Sequence, residues 1–196
     1  MGEGAQAALK RACTGAVLWF NASMATALTI PSPALYDTWA ECVAEFDGVA
    51  LDGSGSWKVD GFGPDRASFE ALLEIVAAEA DVSRTLPEGH VHCDSFWITD
   101  PADTVIGFMA LRHSLATDFL RTEGGHIGYS VRPSRRRQGH ASRALGLVLD
   151  RARERQLDRV LVTCDESNTA SARTIESQGG VFENHVGIKR RYWITL

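Results

Sequence analysis

Several features are missing from this sequence, and each absence removes a class of protein. No apolar run approaches the roughly 18–20 residues that a membrane-spanning helix needs. Only four cysteines occur, Cys13, Cys42, Cys93 and Cys164. They are scattered, with no CxxC pair and no dense disulfide framework, so reduced thiols in the cytoplasm are the simple expectation. Basic residues number 20 against 25 acidic ones, for a net charge of −5. Coating nucleic acid or an anionic membrane would take a broad excess of Lys and Arg. An RNA-binding reading also lacks an aromatic-rich RNP run. Neither the GxxxxGK[ST] phosphate loop nor the GxGxxG dinucleotide fingerprint is present. Repeats and low-complexity tracts are absent as well.

What is there suits one domain. The chain has 196 residues, 44% of them apolar and 23% charged, ordinary values for a chain that buries a real core. The start, "MGEGAQAALKRACTGAVLWFNAS", loosely imitates a secretory signal, but its apolar patch from Ala16 to Phe20 is too short. A loose amino-terminal extension over 1–23 and a single domain over 24–196 are expected, with Met24 a candidate start.

Periodicity orders the elements. "TALTIPSP" is a short strand stopped by prolines. "PALYDTWAECVAEFDG" carries Leu35, Trp39, Val43 and Phe46 at helical spacing, with Gly48 as a stop. "LDGSGSWKVDGFGPD" is a glycine-rich loop, after which Ser68 is the expected cap of a second helix, "FEALLEIVAAEAD". "GHVHCDSFWITD", "VIGFMALRHSL" and "GGHIGYSV" read as strands. "ASRALGLVLDRARER" is the clearest helix, with Leu145, Val148, Leu149 and Ala152 on one face. "DRVLVTCD" is a buried strand, and "NTASARTIESQGG" is a helix capped by Asn168 and stopped by Gly179. "FENHVGIKRRYWITL" closes the chain as one or two strands. Strand, helix, strand, helix, strand in the second half requires at least one parallel pair. An α/β domain follows: a mixed, mostly antiparallel sheet flanked by helices.

One cluster runs against the acidic balance. "SRRRQGHAS" places Arg135, Arg136 and Arg137 between a strand ending at Val131 and a helix starting near Gly139. A helix amino end leaves backbone N–H groups free and carries partial positive charge. Gly139 lets a bulky anion approach the backbone, because it has no Cβ. The order strand, arginines, glycine, small residue, helix is that of an anion cradle, and a diphosphate is about the right size.

Arg136-x-x-Gly139-x-Ala141 resembles the Q/R-x-x-G-x-G/A pyrophosphate loop of the GNAT superfamily of acetyl-CoA-dependent N-acetyltransferases. The likeness extends without a gap from "GGHIGYSV" through "TIESQGGVFEN", and with "RRYWI" it looks like a bacterial subgroup of that family. It is good over about residues 95–196 and loose before them. The resemblance implies a splayed parallel strand pair at the cofactor site. Tyr129, Ser130 and Val131 would then face the pantetheine arm, with Arg136, Arg137, Gln138, Gly139, His140, Ala141 and Ser142 around the pyrophosphate. Asn168 and Ser171 fall where the next helix contacts the cofactor; for Asn168 a plain cap is the competing reading. The implied reaction moves an acetyl group from acetyl-CoA to a primary amine on a small molecule or peptide. No metal, nucleic acid or membrane is implied, and a homodimer is left open.

The catalytic groups are harder to assign. The family's usual tyrosine, which protonates the leaving thiolate, would stand where this chain has Ile175. That departure keeps a second reading open, an acyl-CoA-binding module without turnover. His126 precedes Gly128 and Ser130 on one strand face and titrates in the range of a general base; a structural histidine is its competing reading. Glu123 would act through water or stand as a solvated carboxylate. Tyr192 would replace the missing acid or pack as a strand aromatic. "HVHC", His90 to Cys93, has no second ligand pair at zinc spacing. His113 is a strand residue of undecided role, and Lys189 to Arg191 is a solvated strand end, with contact to an acidic acceptor its competing reading.

Overall fold

The computed structural model describes residues 12–13, 16–17, 19–20, 26–49 and 51–196. The expected extension over 1–23, and its boundary with the domain, fall largely outside those residues. Strands β1 (Ala12–Cys13) and β2 (Ala16–Val17) pair with each other, and β3 (Trp19–Phe20) pairs with β4 (Ala27–Thr29). Helices α1 (Tyr36–Glu45) and α2 (Arg66–Ala80) follow, then strands β5 (Cys93–Thr99), β6 (Val105–Arg112) and β7 (Ile127–Val131). The chain closes with α3 (His140–Glu154), β8 (Arg159–Asp165), α4 (Thr169–Ser177), β9 (Val181–Val186) and β10 (Lys189–Thr195).

One eight-stranded sheet runs β3-β4-β5-β6-β7-β8-β10-β9. Every neighbouring pair is antiparallel except β7 and β8. The α/β expectation, mixed and mostly antiparallel, is therefore what the chain adopts. The apolar run of β6 sits between helical layers, so Val105 to Leu111 are all buried. Helices α3 and α4 pack on one face, where Leu145, Val148, Leu149 and Ala152 meet Ile127, Val162 and Tyr192. Helices α1 and α2 cover the other face, where Trp39, Phe46, Phe69 and Leu72 meet Trp97 and Phe108.

Two local expectations change. The cap of α2 is Asp65 rather than Ser68: Asp65 Oδ1 accepts the Ser68 N–H at 2.9 Å, so Ser68 lies in the first turn. A carboxylate three residues earlier reaches that free donor, and Ser68 Oγ donates back to Asp65 Oδ2 at 3.1 Å. His90 and His92 lie ahead of β5 instead of alternating within it. Both turn to α2, His90 Nδ1 lying 3.4 Å from Glu79 Oε1 and His92 Nδ1 3.0 Å from the Glu79 carbonyl oxygen. Among the described residues no group of three or more His, Cys, Asp or Glu side chains is arranged to hold a metal ion.

Candidate active site

The parallel pair β7 and β8 barely pairs. Ile127 and Val162 are its single aligned positions. On the other side β7 keeps a full register with β6, from Ile127 opposite Leu111 to Val131 opposite Gly107. The Arg112 N–H donates to the His126 carbonyl at 2.8 Å, and the Arg132 N–H to that of Ile106 at 2.9 Å. Even-numbered residues of β7 thus point their backbone bonds at β6. By alternation the amides of Tyr129 and Val131 face the opening toward β8. A strand edge exposed in this way accepts an extended, amide-bearing ligand as an added strand.

His126 marks the point of divergence. Its N–H donates to the Leu161 carbonyl at 2.7 Å, and its Nδ1 accepts the Leu161 N–H at 2.9 Å. The imidazole stands in for a backbone carbonyl in the ladder. With the Nδ1 lone pair taken, the proton of the neutral ring is assigned to Nε2. The residue is 7% exposed; burial, helped by the Arg112 guanidinium, pushes its pKa down to about 4. The base expected here is a neutral histidine with no lone pair to offer. Because the folded pKa lies below the free value, its stabilising contribution is complete above about pH 6.5 and is lost as pH falls through about 4. Wild-type unfolding should lose up to about 3 kcal/mol across that window, with His140, also held low by burial, adding to the slope. Urea titrations of His126→Asn should show a flatter slope; an unchanged slope would show that the ring is not buried neutral.

The opposite wall of the opening comes from α4. Asn168 is its cap, Oδ1 accepting the Ser171 N–H at 3.0 Å. The Tyr129 hydroxyl lies 2.8 Å from Ser171 Oγ, bridging β7 to α4. Burial pushes the Tyr129 phenol up to about 12, so it stays protonated. Ile175 is fully buried in the core.

Beyond Val131 the chain makes a 3₁₀ turn over Pro133–Arg135 and enters α3 through Arg137 at φ 62° and Gly139 at φ 79°. No side chain caps α3, so its first N–H groups point into this loop. The loop is braced from behind. Arg143 donates to the Gln138 carbonyl at 2.7 Å and to Thr26 Oγ1 at 3.0 Å, and His140 Nδ1 lies 2.8 Å from Thr26 Oγ1. Arg136 does not reach outward with its whole fork: Nε donates to the Val131 carbonyl at 2.9 Å. Arg135 pairs with Asp100 at 3.1 Å. Arg137 and Gln138 are exposed, Ala141 follows in the first turn, and Ser142 Oγ accepts from Gln178 at 3.0 Å. A cavity of about 520 Å³ lies between α3 and α4, lined by Thr26, Ser142, Arg143, Gly146, Ser177 and Gln178 among others.

The remaining candidates separate. Glu123 sits in a π-helical turn, Leu120–Gly124, whose backbone accepts the Thr163 hydroxyl at the Glu123 carbonyl; its side chain is exposed. Tyr192 is 1% exposed and donates to Glu176 Oε1 at 3.2 Å, a packed aromatic tied to α4. His113 lies 3.2 Å from Asp94 on the far side of the sheet end. Lys189 and Arg191 pair with Asp165 at 2.5 Å and Glu183 at 2.7 Å, so they are held along the sheet rather than solvated. Sequence reasoning missed the glycine loop's role. Gly53 has φ +81°, and a Cβ there would lie 2.3 Å from the Gly128 carbonyl oxygen. That contact presses the loop onto β7, on the face away from α3 and α4. The signal was the "DGSG" spacing itself.

Comparison with known proteins identifies the family and the fold. A family model described as an acetyltransferase (GNAT) domain matches residues 55–181, more than half of the chain. No curated protein matches in a direct sequence comparison. Among solved structures, the microcin C7 self-immunity acetyltransferase MccE, in complex with acetyl-CoA and AMP, is similar with a TM-score of 0.65 and 12% identity over 88% of this chain and 93% of that one. RimJ from Mycobacterium smegmatis, in complex with CoA-disulfide, gives 0.64 and 21% over 87% and 81%. The ribosomal-protein-S5-alanine acetyltransferase from Vibrio fischeri gives 0.63 and 17% over 88% and 93%. At these identities the likeness is one of fold.

Proposed function

The chain belongs to the acetyltransferase (GNAT) domain family, and from that premise we propose that it moves the acetyl group of acetyl-CoA onto a primary amine of a peptide or small molecule. The observation that carries this reading is the opening between β7 and β8, which ends at the uncapped amino terminus of α3. Pantetheine is an extended chain with two amides, matched to the backbone of Tyr129 and Val131. The diphosphate meets the N–H groups from Gln138 to Ser142, with Arg137 adding charge. Arg136 contributes by holding the Val131 end of the strand and by its remaining N–H groups.

Three demands follow for transfer. The thioester must be held beside the amine, and a strand supplies that placement. The carbonyl oxygen gathers charge and needs an N–H donor, for which a free β7 amide serves. The amine must lose a proton, since at neutral pH only about one lysine-type amine in two thousand is free base. His126 is poorly placed for that task, which leaves carboxylates on the open face, Glu123 among them. On departure the thiolate resembles a free cysteine, with a pKa near 8.5, and leaves tolerably unaided. The Tyr129–Ser171 hydroxyl pair lies on the wall of the opening and is suited to donating a hydrogen bond to that sulfur, in place of the family's usual tyrosine. A cytoplasmic setting fits Cys42, Cys93 and Cys164, all unpaired and buried.

The second reading, a CoA-binding module without turnover, is favoured by Ile175 alone. Thiol release from acetyl-CoA, followed across peptides with free amino termini, spermidine and kanamycin, decides between the two. At least one amine should accelerate release well above hydrolysis. Tight acetyl-CoA binding with no acceleration by any amine would favour the module.

A further inference from the structure

We propose that Asp52 is the carboxylate that receives the protonated amine of the acceptor, which makes it a specificity-determining residue of the transfer reaction; this rests on the reading just given. The backbone places it. Gly53 cannot carry a side chain, because a Cβ would meet the Gly128 carbonyl carbon at 2.7 Å as well as its oxygen. In return, a Cβ on Gly128 would meet Gly53 N at 3.2 Å. Two glycines in contact hold the loop on β7 two residues before Ser130, and Asp52 is the residue next to that contact.

The surroundings point to a cation. Asp52 is exposed, and no side chain among the described residues pairs with it. Its negative charge reaches both Tyr129 and Lys189. Tyr129 lies on β7 at the opening, and Lys189 lies opposite Asp165 at the carboxyl end of β8. Gly128 follows Ile127, where β7 and β8 part, so the Gly53 contact sets Asp52 beside the closed end of the gap, the end at which the thioester would lie. Lys189 is already paired to Asp165. A second observation comes from the same face of β7. The Ser130 hydroxyl oxygen is buried without a hydrogen-bond partner among the described residues. A buried hydroxyl left unpaired costs free energy that a bound polar ligand recovers. An ammonium group has three donors. A carboxylate beside β7, with an unpaired hydroxyl on the same strand face, matches a primary amine better than a neutral alcohol.

Calorimetric titration of the CoA-saturated protein with spermidine, triglycine amide and kanamycin tests this. Wild type should bind at least one of the three. Asp52→Asn should weaken that binding tenfold or more while leaving acetyl-CoA affinity within about twofold, and Asp52→Glu should recover part of the loss. In turnover the same change should appear in KM for the amine more than in KM for acetyl-CoA. If the Asn variant unfolds, Asp52→Ala carries the comparison. Equal amine binding by wild type and the neutral variants, or no amine binding by wild type, overturns the role of Asp52. Failure of acetyl-CoA to bind would instead overturn the transfer reading beneath it.

Discussion

Gly139→Asp should lose acetyl-CoA affinity by a hundredfold or more while the protein keeps its fold. Gly139 sits at φ +79°, immediately before α3. A Cβ there would lie 2.6 Å from Arg143 Nη1, the far end of a flexible side chain that can move aside. Asp tolerates this backbone region better than most residues, and a negative charge at a helix amino end is favourable. The positive φ and the shift of Arg143 from its bonds to Gln138 and Thr26 should cost the apo protein about 1–2 kcal/mol, less than its fold depends on. The aspartate carboxylate, however, occupies the space over the free N–H groups and repels a diphosphate. A hundredfold loss corresponds to about 2.7 kcal/mol. Gly139→Ala separates the causes, because it adds the strain and the Cβ without the charge and should lose far less. Calorimetric titration with acetyl-CoA reads both. Equal affinity for wild type and the aspartate variant would remove the loop from the site.

Asp94→Ala should destabilise the fold although it lies away from the site. Asp94 is 5% exposed and stands on β5 beneath the carboxyl end of α3. Its Oδ2 accepts from Arg151 Nε at 2.9 Å and Arg155 Nε at 3.0 Å, and its Oδ1 from Arg155 Nη2 at 2.6 Å. Burial opposes ionisation, but His113, Arg155 and Arg151 together hold the carboxyl well below the usual carboxylate range. Removing it leaves two guanidiniums side by side. Breaking a fully buried pair costs about 3–5 kcal/mol. Both arginine side chains are about a quarter exposed and can turn to water, so about 2–3 kcal/mol is expected. A depressed carboxyl pKa contributes stability that is present above the unfolded value near 3.9 and is lost only as pH falls through the folded one. The difference between wild type and Asp94→Ala should therefore be undiminished from pH 8 down to about 5. A urea midpoint that moves by less than the equivalent of about 1 kcal/mol would mean that the two arginines repack without their partner.

The elements with strong local signals were legible in the sequence. Helix α3 announced itself by Leu145, Val148, Leu149 and Ala152, all buried as the spacing required, and α4 by the Asn168 cap and Gly179 at φ +85°. The arginine-glycine loop could be read because its parts are consecutive. What could not be read depends on residues distant in sequence. Whether His126 is a base or a strut is set by the Leu161 amide, 35 positions away. Ser68 looked like a cap because nothing in the spacing ranks it below Asp65; the first turn that forms does. The glycine run at 53–55 gave a loop but not its destination, since only the Gly128 backbone explains why the Gly53 position must lack a Cβ. Thr26, which ties His140 and Arg143 behind the loop, carries no signal of its own.

The central claim is that acetyl-CoA lies in the opening between β7 and β8, and amide hydrogen exchange tests it most directly. Without ligand the Tyr129 N–H faces a gap, while the Arg112 and Arg132 N–H groups already donate to carbonyls across the β6–β7 ladder. Saturating acetyl-CoA should slow exchange at Tyr129 and at the first-turn amides from Gly139 to Ser142 by tenfold or more, with smaller changes at Arg112 and Arg132. Tight binding of acetyl-CoA with exchange at Tyr129 and at the α3 amino terminus unchanged would contradict it.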